Sequence, residues 1–83
     1  MSAPRKSVMW FARAMEKKLK ANDHKGHWRH LEVGHLRRRL AQEIEELKRA
    51  IDANESPARV LLEAADAANF AMMIAENYRR DPR

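Results

Sequence analysis

Hydrophobic residues recur at helical spacing along much of the chain and predict two amphipathic helices. Spacings of three and four residues place these side chains on one face of an α-helix. The first helix is expected over about residues 7–22 and the second over about residues 28–53. The residues that carry the pattern are Val8, Phe11, Met15 and Leu19 in the first helix, and Leu36, Leu40, Ile44, Leu47 and Ile51 in the second.

A third hydrophobic segment, residues 60–75, is apolar around its whole circumference. At about 100° per residue its large side chains point in every direction, which is typical of a buried helix. The helix is expected over about residues 56–80, with Ser56 as its N-cap, Pro57 as its first residue and an Asp-Pro pair at 81–82 as its stop. The sequence therefore predicts an all-α, three-helix protomer. The polar residues within the segment are Glu63, Asp66 and Asn69.

Two acidic pairs, each with a spacing of three residues, lie on the second and third helices: Glu43 with Glu46, and Glu63 with Asp66. An unpaired buried charge is costly, and the apolar segment itself contains no Lys or Arg. Glu46 and Glu63 are centred on the boundary between positions 54 and 55, and so are Glu43 and Asp66. If the chain reverses there, Glu46 lies level with Glu63, and Glu43 lies level with Asp66. Four carboxylates across one antiparallel hairpin predict a site for Mg²⁺, with Mn²⁺ as an alternative.

A helical wheel separates the acidic residues of the second helix. The apolar residues fill an arc of about 80°, with Glu43 about 20° and Glu46 about 80° outside it. Both are therefore expected at the edge of the core, whereas Glu45 is expected in solvent. The arginines at 37–39 are interpreted as a solvated run, in which Arg39 pairs with Glu43 one turn later. On the first helix, the lysines at 17, 18 and 20 are expected to solvate the outer side; alternatively, one of them contacts a phosphate.

Residues 22–30 form a polar connection that combines an aromatic side chain with basic ones. Trp28 can stack on a nucleobase while Lys25 meets a phosphate; alternatively, Trp28 packs as an anchor at the start of the second helix. Three histidines lie in the same stretch, but neither a cysteine nor an H-E-x-x-H pattern supports a zinc site. Asn69, one turn beyond Asp66, either satisfies a backbone group or a partner helix, or reaches a substrate sugar or base.

Composition narrows the class of protein. The 83 residues make one domain, and 45% of them are hydrophobic. A chain of this length buries only about 60–65% of its extended surface. Two helices cannot easily cover an all-apolar third, so a homodimer or homotetramer is expected to complete a helical bundle. The sequence has no cysteine, no signal-peptide pattern and no long apolar run, which predicts a cytoplasmic protein without a membrane segment.

Two functions from different classes are compatible with these features. The four carboxylates favour a hydrolase in which Mg²⁺ assists attack of water on a phosphate and one carboxylate activates the water. A net charge of +5 favours a polyanionic ligand such as a nucleotide, and nucleic acid is not an expected partner of such an enzyme. The alternative is a non-enzymatic basic helical module that binds nucleic acid or a partner helix, which the same charge and the arginines at 37–39 favour.

The acidic motif resembles that of an enzyme family. The chain reads Glu43-x-x-Glu46, then a 16-residue spacer that begins with Leu47, then Glu63-x-x-Asp66. This pattern, with a Trp ahead of it, resembles the ExxE and ExxD motifs of the MazG-like all-α nucleoside triphosphate pyrophosphohydrolases. The resemblance covers roughly residues 25–76.

The resemblance implies Mg²⁺-dependent cleavage of a (d)NTP between its α and β phosphates, which yields a (d)NMP and pyrophosphate. It also implies a dimer or a dimer of dimers whose sites are completed across subunits. By position, it implies roles as metal ligands or water activators for Glu43, Glu46, Glu63 and Asp66, and substrate-binding roles for Lys25, Trp28 and Asn69.

Overall fold

Three α-helices and two short 3₁₀ turns make up the structure, a computed structural model that describes residues 2–80. No strand occurs in that range, so the predicted all-α class is confirmed. None of its helices combines the length and hydrophobicity that crossing a membrane requires. The predicted Asp-Pro stop at 81–82 lies outside the described residues. The elements are α1 (Lys6–Ala21), 3₁₀ turns at Asp23–Lys25 and Trp28–His30, α2 (Val33–Asp52) and α3 (Pro57–Arg80).

Helix α2 begins at Val33, later than the predicted start at residue 28. Trp28–His30 instead forms a separate 3₁₀ turn, which the Leu31 N–H closes by donating to the Trp28 carbonyl at 3.0 Å. Leu31 and Glu32 are then extended, with ψ of 137° and 146°. Because extended residues cannot continue the helical hydrogen-bond ladder, the helix starts only after Glu32.

The chain reverses between α2 and α3 at the predicted position. Asn54 has a φ of 54°, in the left-handed conformation that ends many helices. The N–H of Asn54 donates to the Ile51 carbonyl at 3.1 Å, and the N–H of Glu55 donates to the Ala50 carbonyl at 3.0 Å. This pair of bonds is a Schellman motif, which satisfies the last carbonyls of α2.

Helix α3 starts with the N-cap that the sequence predicted. Ser56 Oγ accepts a hydrogen bond from the Arg59 N–H at 3.2 Å, and Pro57 is the first helical residue. Pro suits this position because its missing N–H would have no helical partner there. The end of α2 and the start of α3 are therefore separated by only a few residues, and the two helices pack against each other.

Helix α3 lies at the centre of the tertiary contacts. It packs against both α1 and α2, whereas no Cα atom of α1 lies within 8 Å of one in α2 among the residues described. Helices α1 and α2 therefore contact different sides of α3, and a cleft separates them.

The hydrophobic core of the single chain is thin. Leu36 is the one large side chain that is fully buried within residues 2–80. The accessible surface is 6489 Å², against roughly 5,100 Å² for a compact protein of this mass. Within one chain, two neighbours cover only part of the circumference of α3, as the sequence led us to expect, and burial of the rest in an oligomer stays a prediction. The buried residues of α3 are Glu63, Ala65, Asn69 and Asn77, and the exposed large apolar residues within 2–80 are Val8, Met9, Trp10, Ile44, Ile51 and Tyr78.

Candidate metal centre

Three of the four predicted carboxylates converge where α2 faces α3. Glu43 from α2 and Glu63 and Asp66 from α3 each place one oxygen within 4.8 Å of the other two. Glu43 is 5% exposed, Glu63 is 6% exposed, and Asp66 is half-buried. Their convergence follows from the hairpin and from the spacing of three residues, which puts Glu63 and Asp66 on one side of α3. We call these three residues the acidic cluster.

Glu46, the fourth predicted carboxylate, is not a member of the acidic cluster. Its side chain is exposed, so the prediction that it lies at the core edge is wrong. A residue three positions after Glu43 is rotated by about 60° around the helix axis. Glu46 therefore turns towards solvent when Glu43 faces α3. Glu45 is exposed as predicted and pairs with Lys48 at 3.4 Å.

Each carboxylate of the acidic cluster forms an ion pair with one basic side chain. The pair within α2 was predicted from its i,i+4 spacing and is confirmed. The α3 carboxylates also have basic partners. The partner of Glu63, Arg59, lies one turn earlier in α3, just outside the apolar segment, and the partner of Asp66, Lys18, comes from α1. Lys18 is consequently half-buried rather than solvated as predicted. The pairs are Arg39 Nη2 with Glu43 Oε1 at 2.9 Å, Arg59 Nη2 with Glu63 Oε1 at 3.2 Å, and Lys18 Nζ with Asp66 Oδ2 at 3.2 Å.

These ion pairs leave buried oxygen atoms without a hydrogen-bond donor. Glu43 Oε2 and Glu63 Oε2 have no partner, and neither has Oδ1 of Asn69, which is 3% exposed. A buried acceptor without a partner costs about 1–3 kcal/mol, and more if it is charged. A divalent cation would neutralise the carboxylates and give their oxygens a ligand. The residues therefore fit Mg²⁺ or Mn²⁺, which prefer oxygen donors of this kind.

The pKa of Glu43 is raised from 4.5 to about 7. Burial is the largest cause, because the charged form loses its hydration. Glu46 raises this pKa further, since protonated Glu43 can donate a hydrogen bond to it and since its negative charge opposes ionisation. The charge of Asp66 acts in the same direction, and Arg39 opposes these effects. Glu43 therefore takes up a proton more readily than an ordinary carboxyl group, despite its ion pair with Arg39.

A cleft of about 430 Å³ opens between α1 and α2 beside the acidic cluster. Lys18 and Arg39 also line it, and neither was among the predicted site residues. The i,i+4 spacing predicted the pair of Arg39 with Glu43 but not its place on the cleft wall, whereas no local pattern links Lys18 to Asp66. Glu46 and Glu63 do not line the cleft. The predicted residues that line it are Lys25, Trp28, Glu43, Asp66 and Asn69.

Two predicted substrate contacts are engaged within the protein. Trp28 Nε1 donates to Glu76 Oε1 at 3.1 Å, and the His27 ring stacks on the indole with centroids 4.0 Å apart. Trp28 thus anchors its 3₁₀ turn to α3, whereas the alternative interpretation expected an anchor at the start of the second helix. Asn69 Nδ2 donates to the Met15 carbonyl at 3.0 Å, so this side chain satisfies a backbone group of α1. Contacts of these residues with a substrate stay predictions.

The acidic cluster and the cleft place three kinds of binding group next to one another. The carboxylates can hold a cation, Lys18 and Arg39 can pair with phosphate oxygens, and the Phe70 ring offers an apolar surface. Such a combination suits a polyphosphate that carries a metal ion and an organic group. Comparisons with protein-family models, with curated proteins and with solved structures found no match to this chain.

Proposed function

We propose that this protein is a Mg²⁺-dependent nucleoside triphosphate pyrophosphohydrolase, which cleaves a (d)NTP to a (d)NMP and pyrophosphate. The observation that carries the proposal is the convergence of Glu43, Glu63 and Asp66, with two buried carboxylate oxygens lacking a donor. The adjoining cleft supports it, because cations and carboxylates share its wall. The choice of bond and products follows the resemblance to the MazG-like enzymes.

Each acidic residue has a distinct place in this reaction. Glu43, Glu63 and Asp66 would hold the metal ion. When bound, that ion supplies neutralisation of the polyphosphate and polarisation of the attacked phosphate. Glu46 does not line the cleft, but it is close enough to Glu43 to form a hydrogen bond with it, and from the edge of the metal site it would accept the proton of the attacking water. The water oxygen bonds to the α phosphorus, the bond between the α phosphorus and the bridging oxygen breaks, and pyrophosphate leaves.

The cleft would bind the rest of the substrate through its own side chains. Lys25 is exposed on the cleft wall, where its ammonium can meet a phosphate. Trp28 and Phe70 line the same space and offer ring faces to a base. Asn69 contributes a buried carbonyl oxygen without a donor, which suits an amino or hydroxyl group of the ligand.

The active form is proposed to be a homodimer or homotetramer. Trp10 is 57% exposed and Ile51 55% exposed, so a single chain leaves much of both apolar side chains in water. The surface in excess of a compact monomer points the same way. Light scattering at micromolar concentration is expected to give at least twice the mass of one chain. A monomer at that concentration would overturn this part of the proposal.

Pyrophosphate release from a panel of ribo- and deoxyribonucleoside triphosphates tests the reaction. Release is expected with Mg²⁺ and not with EDTA, and Glu46→Gln and Glu63→Gln should each abolish it. Glu45→Gln is the matched control, because Glu45 lies in the same helix but is exposed and paired with Lys48. It should retain release.

Absence of release from every nucleotide, in a folded protein, would overturn the proposal. The basic-module alternative would then be tested by binding of DNA and RNA, whose affinity should fall steeply as salt rises. Arg37 and Arg38 are exposed and would be the first residues to neutralise in that case.

A further inference from the structure

Lys18 differs from the other two basic partners of the acidic cluster in where it comes from. It reaches Asp66 from α1, whereas Arg39 and Arg59 each pair with a carboxylate one turn away in their own helix. Lys18 and Asp66 both line the cleft, and Arg59 does not. Lys18 is thus a cation that touches a candidate metal ligand and faces the space proposed for phosphates.

Lys18 is also held less firmly than the other basic residue on the cleft wall. Arg39 pairs with Glu43, donates to Gln42, and places its guanidinium 5.0 Å from the centroid of the Phe70 ring. Lys18 has one ion pair, and its ammonium sits on a flexible four-carbon stem. Of these two cations, Lys18 can therefore change partners with the smaller loss of contacts.

We infer that Lys18 is a tethered counter-cation that neutralises Asp66 in the metal-free protein and transfers to a substrate phosphate when a divalent cation occupies the acidic cluster. The inference rests on the proposed function, because it needs a metal at Glu43, Glu63 and Asp66. The buried oxygens of Glu43 and Glu63 that lack a donor point to that ligand independently of the cluster's composition. The role of Lys18 is positioning and phosphate binding; it transfers no proton.

The transfer couples the binding of metal and phosphate. A metal ion and the Lys18 ammonium compete for Asp66, so metal binding releases the lysine into the cleft. A released ammonium strengthens phosphate binding, and by linkage bound phosphate strengthens metal binding by the same factor. Without Lys18 the competition and the coupling both disappear, so the affinities for metal and for phosphate should move in opposite directions.

Binding of Mn²⁺ and of inorganic tripolyphosphate tests the inference without turnover. The Mn²⁺ affinity would be measured by electron paramagnetic resonance, and the affinity for tripolyphosphate by calorimetry in saturating Mg²⁺, both at low ionic strength. Lys18→Met should bind Mn²⁺ about two- to fivefold more tightly, since one partly exposed competing ion pair is gone. It should bind tripolyphosphate about tenfold more weakly, since a charge-assisted contact is lost.

Two control variants remove a positive charge elsewhere. Arg59→Met frees Glu63 but leaves the cleft unchanged, so tripolyphosphate binding should match the wild type. Lys20→Met removes an exposed charge from the same helix as Lys18 and should change neither affinity appreciably. These controls separate the effect of position from that of net charge.

Three outcomes would overturn the inference, and one of them also removes its basis. If Lys18→Met weakens both affinities, Lys18 only holds Asp66 in place. If tripolyphosphate binding is unchanged in Lys18→Met, the lysine does not reach phosphate. If wild type binds Mn²⁺ no better than Glu63→Gln, the proposed metal site fails together with the inference, whereas the first two outcomes leave that site intact.

Side-chain NMR of the wild type gives a measurement that needs no variant. The Lys18 Nζ resonance should shift when Mg²⁺ is added and shift again when tripolyphosphate follows, because its partner changes twice. The Lys20 resonance should stay in place. An unchanged Lys18 resonance at saturating Mg²⁺ would overturn the inference even if every substitution at position 18 failed to fold.

Discussion

Replacing Glu43 with Gln should stabilise the metal-free protein at alkaline pH. The amide has nearly the same shape and keeps an oxygen that can accept from Arg39, but it removes the buried negative charge. In the wild type, burial, Glu46 and Asp66 raise the Glu43 pKa from 4.5 to about 7. The folded protein therefore binds more protons than the unfolded chain between those two values, and stability falls as pH rises through that window.

The raised pKa also sets the size of the effect. One pKa unit corresponds to about 1.36 kcal/mol, so the shift is worth up to about 3 kcal/mol. The stability that the folded protein gains from holding Glu43 in its protonated form is fully present below pH 4.5 and is lost above pH 7. Glu43→Gln should therefore resemble the wild type near pH 4.5 and exceed it by up to about 3 kcal/mol at pH 8. In a domain of this size, that difference raises Tm by about 10 °C or more.

Thermal and urea melts in EDTA, at pH 4.5, 6 and 8 and at one protein concentration, measure this difference. Glu45→Gln is the control, because it removes an exposed charge two residues away. It should keep the pH dependence of the wild type. Adding Mg²⁺ at pH 8 should stabilise the wild type more than Glu43→Gln, because the metal binds only the folded acidic cluster. A Glu43→Gln variant that loses stability at pH 8, or that keeps the wild-type slope, would contradict the reasoning.

Substitutions at three further positions test the fold, each by urea unfolding at fixed protein concentration. Leu36→Ala should cost about 2–5 kcal/mol, because Leu36 is fully buried; a cost below 1 kcal/mol would show that the site is solvated or collapses without loss. Asn54→Ala should cost about 1 kcal/mol and Asn54→Gly almost nothing, because φ is 54° there; equal costs would argue against the left-handed turn. Ser56→Ala should cost about 1 kcal/mol through the lost N-cap, with Ser56→Asp restoring it.

The local features of the acidic hairpin were predictable from the sequence. Asn54, Ser56 and Pro57 act through the backbone groups next to them, so their effect does not depend on the rest of the fold. The shared centre of the two acidic pairs then predicted that Glu43 would meet Asp66, and the two lie in one acidic cluster. The start of α2 was not predictable from hydrophobic spacing, because a 3₁₀ turn and a short extended stretch precede it.

The sequence alone determined three helices, their reversal at residues 54–55 and a concentration of carboxylates on facing helices, because periodicity and capping act within a few residues. Only the tertiary structure decided that Glu46 lies outside the acidic cluster, since a rotation of about 60° separates a buried face from an exposed one. Only the packing of α1 on α3 brought Lys18 to Asp66 and left a cleft beside them. These outcomes depend on how whole helices face one another, which no stretch of local sequence specifies.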